Sequence, residues 1–266
     1  MSELKKRRSP WAPLYLTLVL ILMYLPIAVV VLYSFNANTS RFPTAFTGFS
    51  LTHYQALLRD TRGLLDALWN SLILAACSCG IAMVIGTLGA IGMAGRKFRG
   101  QGAIETLSLL PIMVPEIILG MAFLAVFTAV GLKFGMLTLI LAHVTFCTPY
   151  VFIIVKGRLA GMDPSLAEAS RDLGASPVRT FFEITLPLIM PGVLSGVMLA
   201  FAMSLDDFVI SFFVTGATTT TLPLRIYSSV RTGVSLQVNA LCTLTLAFVA
   251  IVMAFKQLVV DRRANR

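Results

Sequence analysis

Four ionisable side chains stand inside otherwise apolar runs of this sequence: Glu116, His143, and the adjacent pair Asp206 and Asp207. A carboxylate in a hydrocarbon environment costs several kcal/mol, so it normally faces a cavity or a partner. Fixed negative charge in a low-dielectric passage favours a cation. Adjacent residues on a helix diverge by about 100°. Asp206 and Asp207 therefore cannot both point into one passage, which leaves the other to cap a neighbouring helix or to pair with Arg225. For His143, a satisfied interhelical hydrogen bond outweighs direct contact with a ligand. The cysteines Cys77, Cys79, Cys147 and Cys242 all lie in apolar runs without a nearby His or carboxylate, and read as small buried side chains rather than as metal ligands or a disulfide. No catalytic residue and no metal site is expected.

The elements that must position these groups are membrane spans. The chain has 266 residues, of which 57% are hydrophobic and 12% charged, and its mean hydropathy is +0.87. That composition excludes a soluble core and predicts an all-α polytopic membrane protein. Apolar runs of spanning length cover about 12–34, 65–95, 104–131, 136–156, 188–214 and 237–259. Six spans put both termini on one side. The first run is too long for a signal-peptide core and reads as an uncleaved span. The second exceeds what a bilayer needs, so part of it projects or tilts.

Orientation follows from the basic residues. Fifteen of the 21 Lys and Arg fall on the side that holds Lys5 to Arg8, Arg96 to Arg99, Lys156, Arg158, Arg171, Arg179 and the C-terminus; six fall on the other. The first side is therefore cytoplasmic. Positive-inside topology accounts for the net charge of +9 without a nucleic-acid partner. At about 1.5 Å per residue, Glu116 lies roughly 18 Å up from the inner end of its span and Asp206 roughly 27 Å up, while His143 lies roughly 10 Å down from the outer end. The four could line one cavity at middle-to-outer depth. Ala82, Gly86 and Ala90, and likewise Gly192, Gly196 and Ala200, recur every four residues and suit close helix packing. Pro111, Pro115, Pro187 and Pro191 are expected to break or kink their helices. Two outer segments, 36–64 with a helix over 50–58 and the Thr-rich 215–236, read as connections or as docking surface for an outside protein.

One polar stretch interrupts the apolar chain: DPSLAEASRDLGASPVRTFFEITLP, residues 163–187. Asp163 can cap a short helix with Pro164 at its first position, and Gly174 suits its stop. Leu166, Ala169, Ser170 and Leu173 share one face of that helix. Ser176 and Pro177 start a second helix in the same way, and Pro187 is expected to close the stretch. The product is a compact knob suited to a partner's cleft, and the topology puts it in the cytoplasm.

Glu168-Ala169-Ser170, three further residues, Gly174, nine further residues, Ile184, one residue, then Leu186-Pro187 resembles the EAA loop of type I ABC importer permeases, the MetI-like family. Ser170 replaces the motif's second Ala, a small-for-small change. The resemblance implies a six-helix MetI-like fold over 1–266, with 157–187 as the cytoplasmic coupling loop. Ser204-Leu205-Asp206-Asp207, His143-Val144-Thr145-Phe146-Cys147 and Val238-Asn239-Ala240-Leu241 are similar to the polyamine (spermidine/putrescine) permeases of that family. By resemblance, the complex would hold this chain, a second homologous permease (a heterodimer), two cytoplasmic ATPase subunits and a periplasmic polyamine-binding protein, in a bacterial inner membrane. The chain has no G-x-x-x-x-G-K-[ST] motif, so ATP and Mg are expected on the partner ATPase and no cofactor in this chain. The alternatives are an ABC permease for another small substrate, a proton-coupled secondary transporter with Glu116 and the Asp pair as relay, and a membrane scaffold.

Overall fold

The computed structural model describes residues 11–40, 45–59, 63–94, 98–163, 165–232 and 236–264. The expected Pro164 start and the basic residues Lys5 to Arg8, Arg96, Lys97 and Arg266 lie outside these. The described residues are helical apart from connections and one isolated antiparallel bridge between Asn36 and Phe49. The chain divides into two compact units, residues 1–65 with 226–266, and residues 66–225.

In the first unit, α1 (Trp11–Ser34) packs against α12 (Leu236–Ala264), and the short α2 (Thr52–Leu58) packs against α12 as well. Leu16, Leu22 and Met23 stay exposed along α1, as an apolar span requires of a face that meets lipid or another helix. The segment after α1 is organised by one buried amide. Asn36 Oδ1 accepts from the Asn38 and Thr47 backbone N–H groups at 3.1 and 2.9 Å, and its Nδ2 donates to the Ala45 carbonyl at 2.9 Å.

The second unit is built around α6 (Met136–Ala160). Cys147, Val151 and Val155 on it are fully buried. α3 (Leu64–Met93) and α9 (Leu186–Asp206) both approach it through their small residues. A Cβ on Gly86 would lie 2.9 Å from the Val151 Cβ and 3.0 Å from the Thr148 carbonyl oxygen; one on Gly196 would lie 3.1 Å from the Val151 Cα. Only glycine allows both backbones so close to the same turn of α6. Of the cysteines, Cys79 and Cys147 are buried and Cys77 is exposed, because residues two apart on a helix point in different directions.

The run 104–131, expected as one span broken or kinked at its prolines, is two helices: α4 (Gln101–Met113) and α5 (Glu116–Ala129), bent by 105°. Val114 is extended at φ −81°, ψ 132°, the conformation that a following proline imposes. Pro111 stays inside α4 without ending it. Pro187 likewise fails to close the polar stretch. The helix that starts at Pro177 continues to Asp206, so the fifth span begins eleven residues earlier than the apolar run suggests. A π-helical turn over Phe181–Thr185 sits just before the proline, and the Leu186 N–H reaches the Phe181 carbonyl, five residues back. This register shift absorbs the missing Pro187 donor without a break. The expected run 188–214 ends early, at Asp206, and after a two-residue joint the chain forms the short α10 (Val209–Val214), followed by α11 (Leu222–Thr232). Among the described residues, four helices are long and apolar enough to cross a membrane, the bent α4–α5 pair makes a fifth, and α12 begins with a shorter apolar stretch over Leu236–Phe248.

Candidate functional site

The polar loop folds as its local signals require. α7 (Ser165–Asp172) starts where the Ser165 N–H donates to Asp163 Oδ1 at 2.9 Å. Hydrogen bonds from the Ser165 backbone and side chain hold the Asp163 carboxyl below its ordinary value. α7 ends in a Schellman motif: Gly174, at φ +87°, donates to the Arg171 carbonyl at 2.8 Å, and Ala175 donates to the Ser170 carbonyl at 3.1 Å. Ser176 then caps α8 (Pro177–Thr180) by accepting from the Arg179 N–H at 3.3 Å, with Pro177 at the first position. Ser170 and Thr180 hydroxyls meet at 3.1 Å and tie the two short helices together.

Glu168, Ala169, Gly174 and Pro187 are exposed, while Ser170, Ile184 and Leu186 are half-buried. The shared face of α7 does not pack away. Leu166, Ala169, Ser170 and Leu173 face Arg179 and Ile184 across a hollow of about 470 Å³. Leu173 is 90% exposed, an apolar side chain left for a partner to cover. On one rim, Arg179 Nε donates to Glu183 Oε1 at 2.9 Å.

The four intramembrane groups separate into two kinds. His143 and Asp207 come together in a buried polar cluster. The His143 ring lies with Nδ1 2.8 Å from the Ser204 hydroxyl and Nε2 3.1 Å from the Ser211 hydroxyl, and Nε2 is 3.4 Å from Asp207 Oδ2. Asp207 accepts from the Ile210 N–H at 3.1 Å, and from the Ser211 N–H and hydroxyl at 2.8 and 2.7 Å. It is therefore the N-terminal cap of α10. Asp206 and Glu116, by contrast, are exposed and make no hydrogen bond or ion pair among the described residues. Asp206 closes α9, and Glu116 opens α5 directly after the 105° bend.

Ser204 and Ser211 are parts of this cluster that the sequence reading passes over. Serine carries no burial signal of its own, but an Asp four residues before Ser211 and directly ahead of an apolar run is a capping signature. The ion pair between Lys156 on α6 and Glu105 on α4 is also unforeseen, since 51 residues separate its partners.

Comparison with known proteins places this architecture. Residues 82–266 match the family described as "Binding-protein-dependent transport system inner membrane component". The putrescine transport system permease protein PotI of Escherichia coli (strain K12) is 44% identical over 95% of this chain and 91% of that protein. The spermidine/putrescine transport system permease protein PotC of Haemophilus influenzae is 40% identical over 89% of this chain and 91% of that protein. Among solved structures, a bacterial ABC transporter that imports the acidic polysaccharide alginate shares the fold with a TM-score of 0.72 at 14% identity, over 92% of this chain and 94% of that one. The methionine ABC transporter MetNI in an inward-facing form gives 0.57 at 21% identity, over 75% and 93%. The chain belongs to the inner-membrane components of binding-protein-dependent transport systems, and is a transport permease of the ABC importer type, not an enzyme.

Proposed function

We propose that this chain is one of two homologous permease subunits of an ATP-driven polyamine importer. Its length-wide similarity to permeases named for putrescine and spermidine supports the substrate class. The chemistry of Asp206 suits it too: an exposed carboxylate at the end of a span can replace part of the hydration that an ammonium group sheds on entering a narrow passage. Asp206 and Glu116 act as weak, separated sites for the ammonium groups, so that the cation passes without being trapped. Asp207 and His143 serve as supporting structure and not as substrate contacts.

The observation that carries the mechanism is the unbroken helix from Pro177 to Asp206. Thirty residues at about 1.5 Å each give a rod of ~45 Å, with the second half of the coupling loop at one end and the proposed path carboxylate at the other. Two cytoplasmic ATPase subunits, which bind ATP and Mg, grip Glu168 to Pro187. Their closure tilts this rod and alters access at Asp206. Both termini are cytoplasmic, and a periplasmic polyamine-binding protein delivers substrate at the opposite face. The coupling is reciprocal, so loaded binding protein stimulates ATP hydrolysis.

Co-purification from native membrane, with mass identification of what comes down, tests this composition. A second permease, an ATPase and a polyamine-binding protein are the expected companions. Polyamine uptake that survives loss of the ATPase would instead favour a proton-coupled transporter, with Glu116 and Asp206 as its relay.

A further inference from the structure

Asp206 is held from both sides by a single imidazole. Ser204 stands two residues before it and Asp207 one residue after it, and both meet His143 of α6. The proton positions follow from the partners. The Ser211 hydroxyl donates to Asp207 Oδ2 at 2.7 Å, so its oxygen is left to accept. His143 Nε2–H donates to that oxygen at 3.1 Å. In the neutral ring Nδ1 then carries no proton and accepts from the Ser204 hydroxyl at 2.8 Å. Each proton is used once, in a chain directed Ser204, His143, Ser211, Asp207. His143 and Ser211 are fully buried, Ser204 is 3% exposed and Asp207 9%, so no water competes for these bonds. The chain joins α6, the last turn of α9, the two-residue joint and the first turn of α10. Asp206 lies inside that frame, yet its own carboxylate is exposed and, among the described residues, unpaired.

A helix that stops at its functional residue has no following turn to hold that residue's direction, and helix ends fray. Here the buried chain replaces the missing turn. We infer that His143 is a positioning residue for polyamine passage: it fixes the end of α9, and through it the direction in which Asp206 presents its carboxylate. The inference rests on the proposed role of Asp206 in the path. Preorganised geometry of this kind is worth about an order of magnitude or more in rate when lost.

The test uses the full complex in proteoliposomes, with radiolabelled putrescine uptake and binding-protein-stimulated ATP hydrolysis measured on the same vesicles. His143→Leu keeps the volume and removes both polar contacts. Maximal uptake should fall about tenfold, while stimulated hydrolysis and the amount of protein in the membrane stay at parent level. Ser204→Ala, which removes one link and leaves no gap, should cost about threefold. His143→Gln, whose amide can still donate to Ser211, should recover most of the loss. Asp206→Asn should itself lower uptake, and His143→Leu in that background should add nothing. A purely structural role for His143 would lower uptake and hydrolysis together, or would lower uptake equally in both backgrounds, and either result overturns the inference while leaving Asp206 in the path. Parent-level uptake in Asp206→Asn removes the proposed role of Asp206 and this inference with it.

Discussion

Asp207 and Asp206 are chemically identical neighbours whose replacement should have opposite consequences. Asp207 takes three hydrogen bonds, from the Ile210 N–H and from the Ser211 N–H and hydroxyl, and has the His143 ring at 3.4 Å. Asp207→Ala strips these donors of their acceptor in a site where the residue is 9% exposed. An orphaned buried donor costs about 1–3 kcal/mol. The losses are not additive, and the whole cluster is worth roughly 3–5 kcal/mol, as for other buried charged groups that lose their partner. Asp207→Asn should cost less, because an asparagine oxygen can still accept from the Ser211 N–H and hydroxyl while its amide nitrogen opposes only the Ile210 N–H. Asp206→Asn changes an exposed side chain without a partner among the described residues, which is worth within about 0.5 kcal/mol of stability. Thermal unfolding of the purified chain in detergent reads the contrast. Asp207→Ala should melt roughly 10 °C below the parent, Asp207→Asn between the two, and Asp206→Asn within about 2 °C of the parent. If Asp207→Ala melts with the parent, the carboxylate is not the cap that holds α10, and the division of the pair into one structural and one path residue fails.

Gly174 has open space around it and φ +87°, so only the backbone resists a side chain there. Gly174→Val should uncouple ATP hydrolysis from uptake while the protein still inserts, and Gly174→Asn, which tolerates the left-handed region, should be clearly milder; equal effects would point to the lost space, not the turn. A cysteine at Ala169, which is exposed on α7, should cross-link to the ATPase subunit and not to the binding protein. Gly86→Ala would press a methyl to within 2.9 Å of the Val151 Cβ and 3.1 Å of the Phe152 backbone nitrogen, and should lower thermal stability by about 1–3 kcal/mol, read by the same melts. Charge reversal at either Glu105 or Lys156 should weaken the α4–α6 contact, and the double reversal should restore uptake, if that ion pair holds the two helices during transport.

Much of the fold was legible in the sequence, because its signals are local. Long apolar runs mark the helices α1, α3, α6 and α12, and Asp163, Gly174, Ser176 and Pro177 each encode a helix end through their own side chains or φ preference. What was not legible depends on neighbours distant in the chain. Pro111, Pro115, Pro187 and Pro191 look alike in sequence, yet only Pro115 separates two helices; the chain turns at Val114, while the π turn before Pro187 takes up the missing donor. The choice between Asp206 and Asp207 hinges on where α9 stops, and that is set by His143, 64 positions before Asp207 on another helix. Helical geometry said that one of the pair must turn away from a passage and cap something. It could not say which, because Ser204 and Ser211 are silent until the imidazole between them is in place.

The most direct measurement is uptake of radiolabelled putrescine and spermidine into proteoliposomes holding the co-purified complex, with ATP and loaded binding protein supplied on their proper sides. An ATP-driven polyamine permease gives uptake that requires ATP hydrolysis, is displaced by the unlabelled diamine or triamine but not by an uncharged diol of equal length, and falls sharply with Asp206→Asn at unchanged hydrolysis. Uptake that proceeds without ATP on a proton gradient, or that ignores the charge of the competitor, would contradict it.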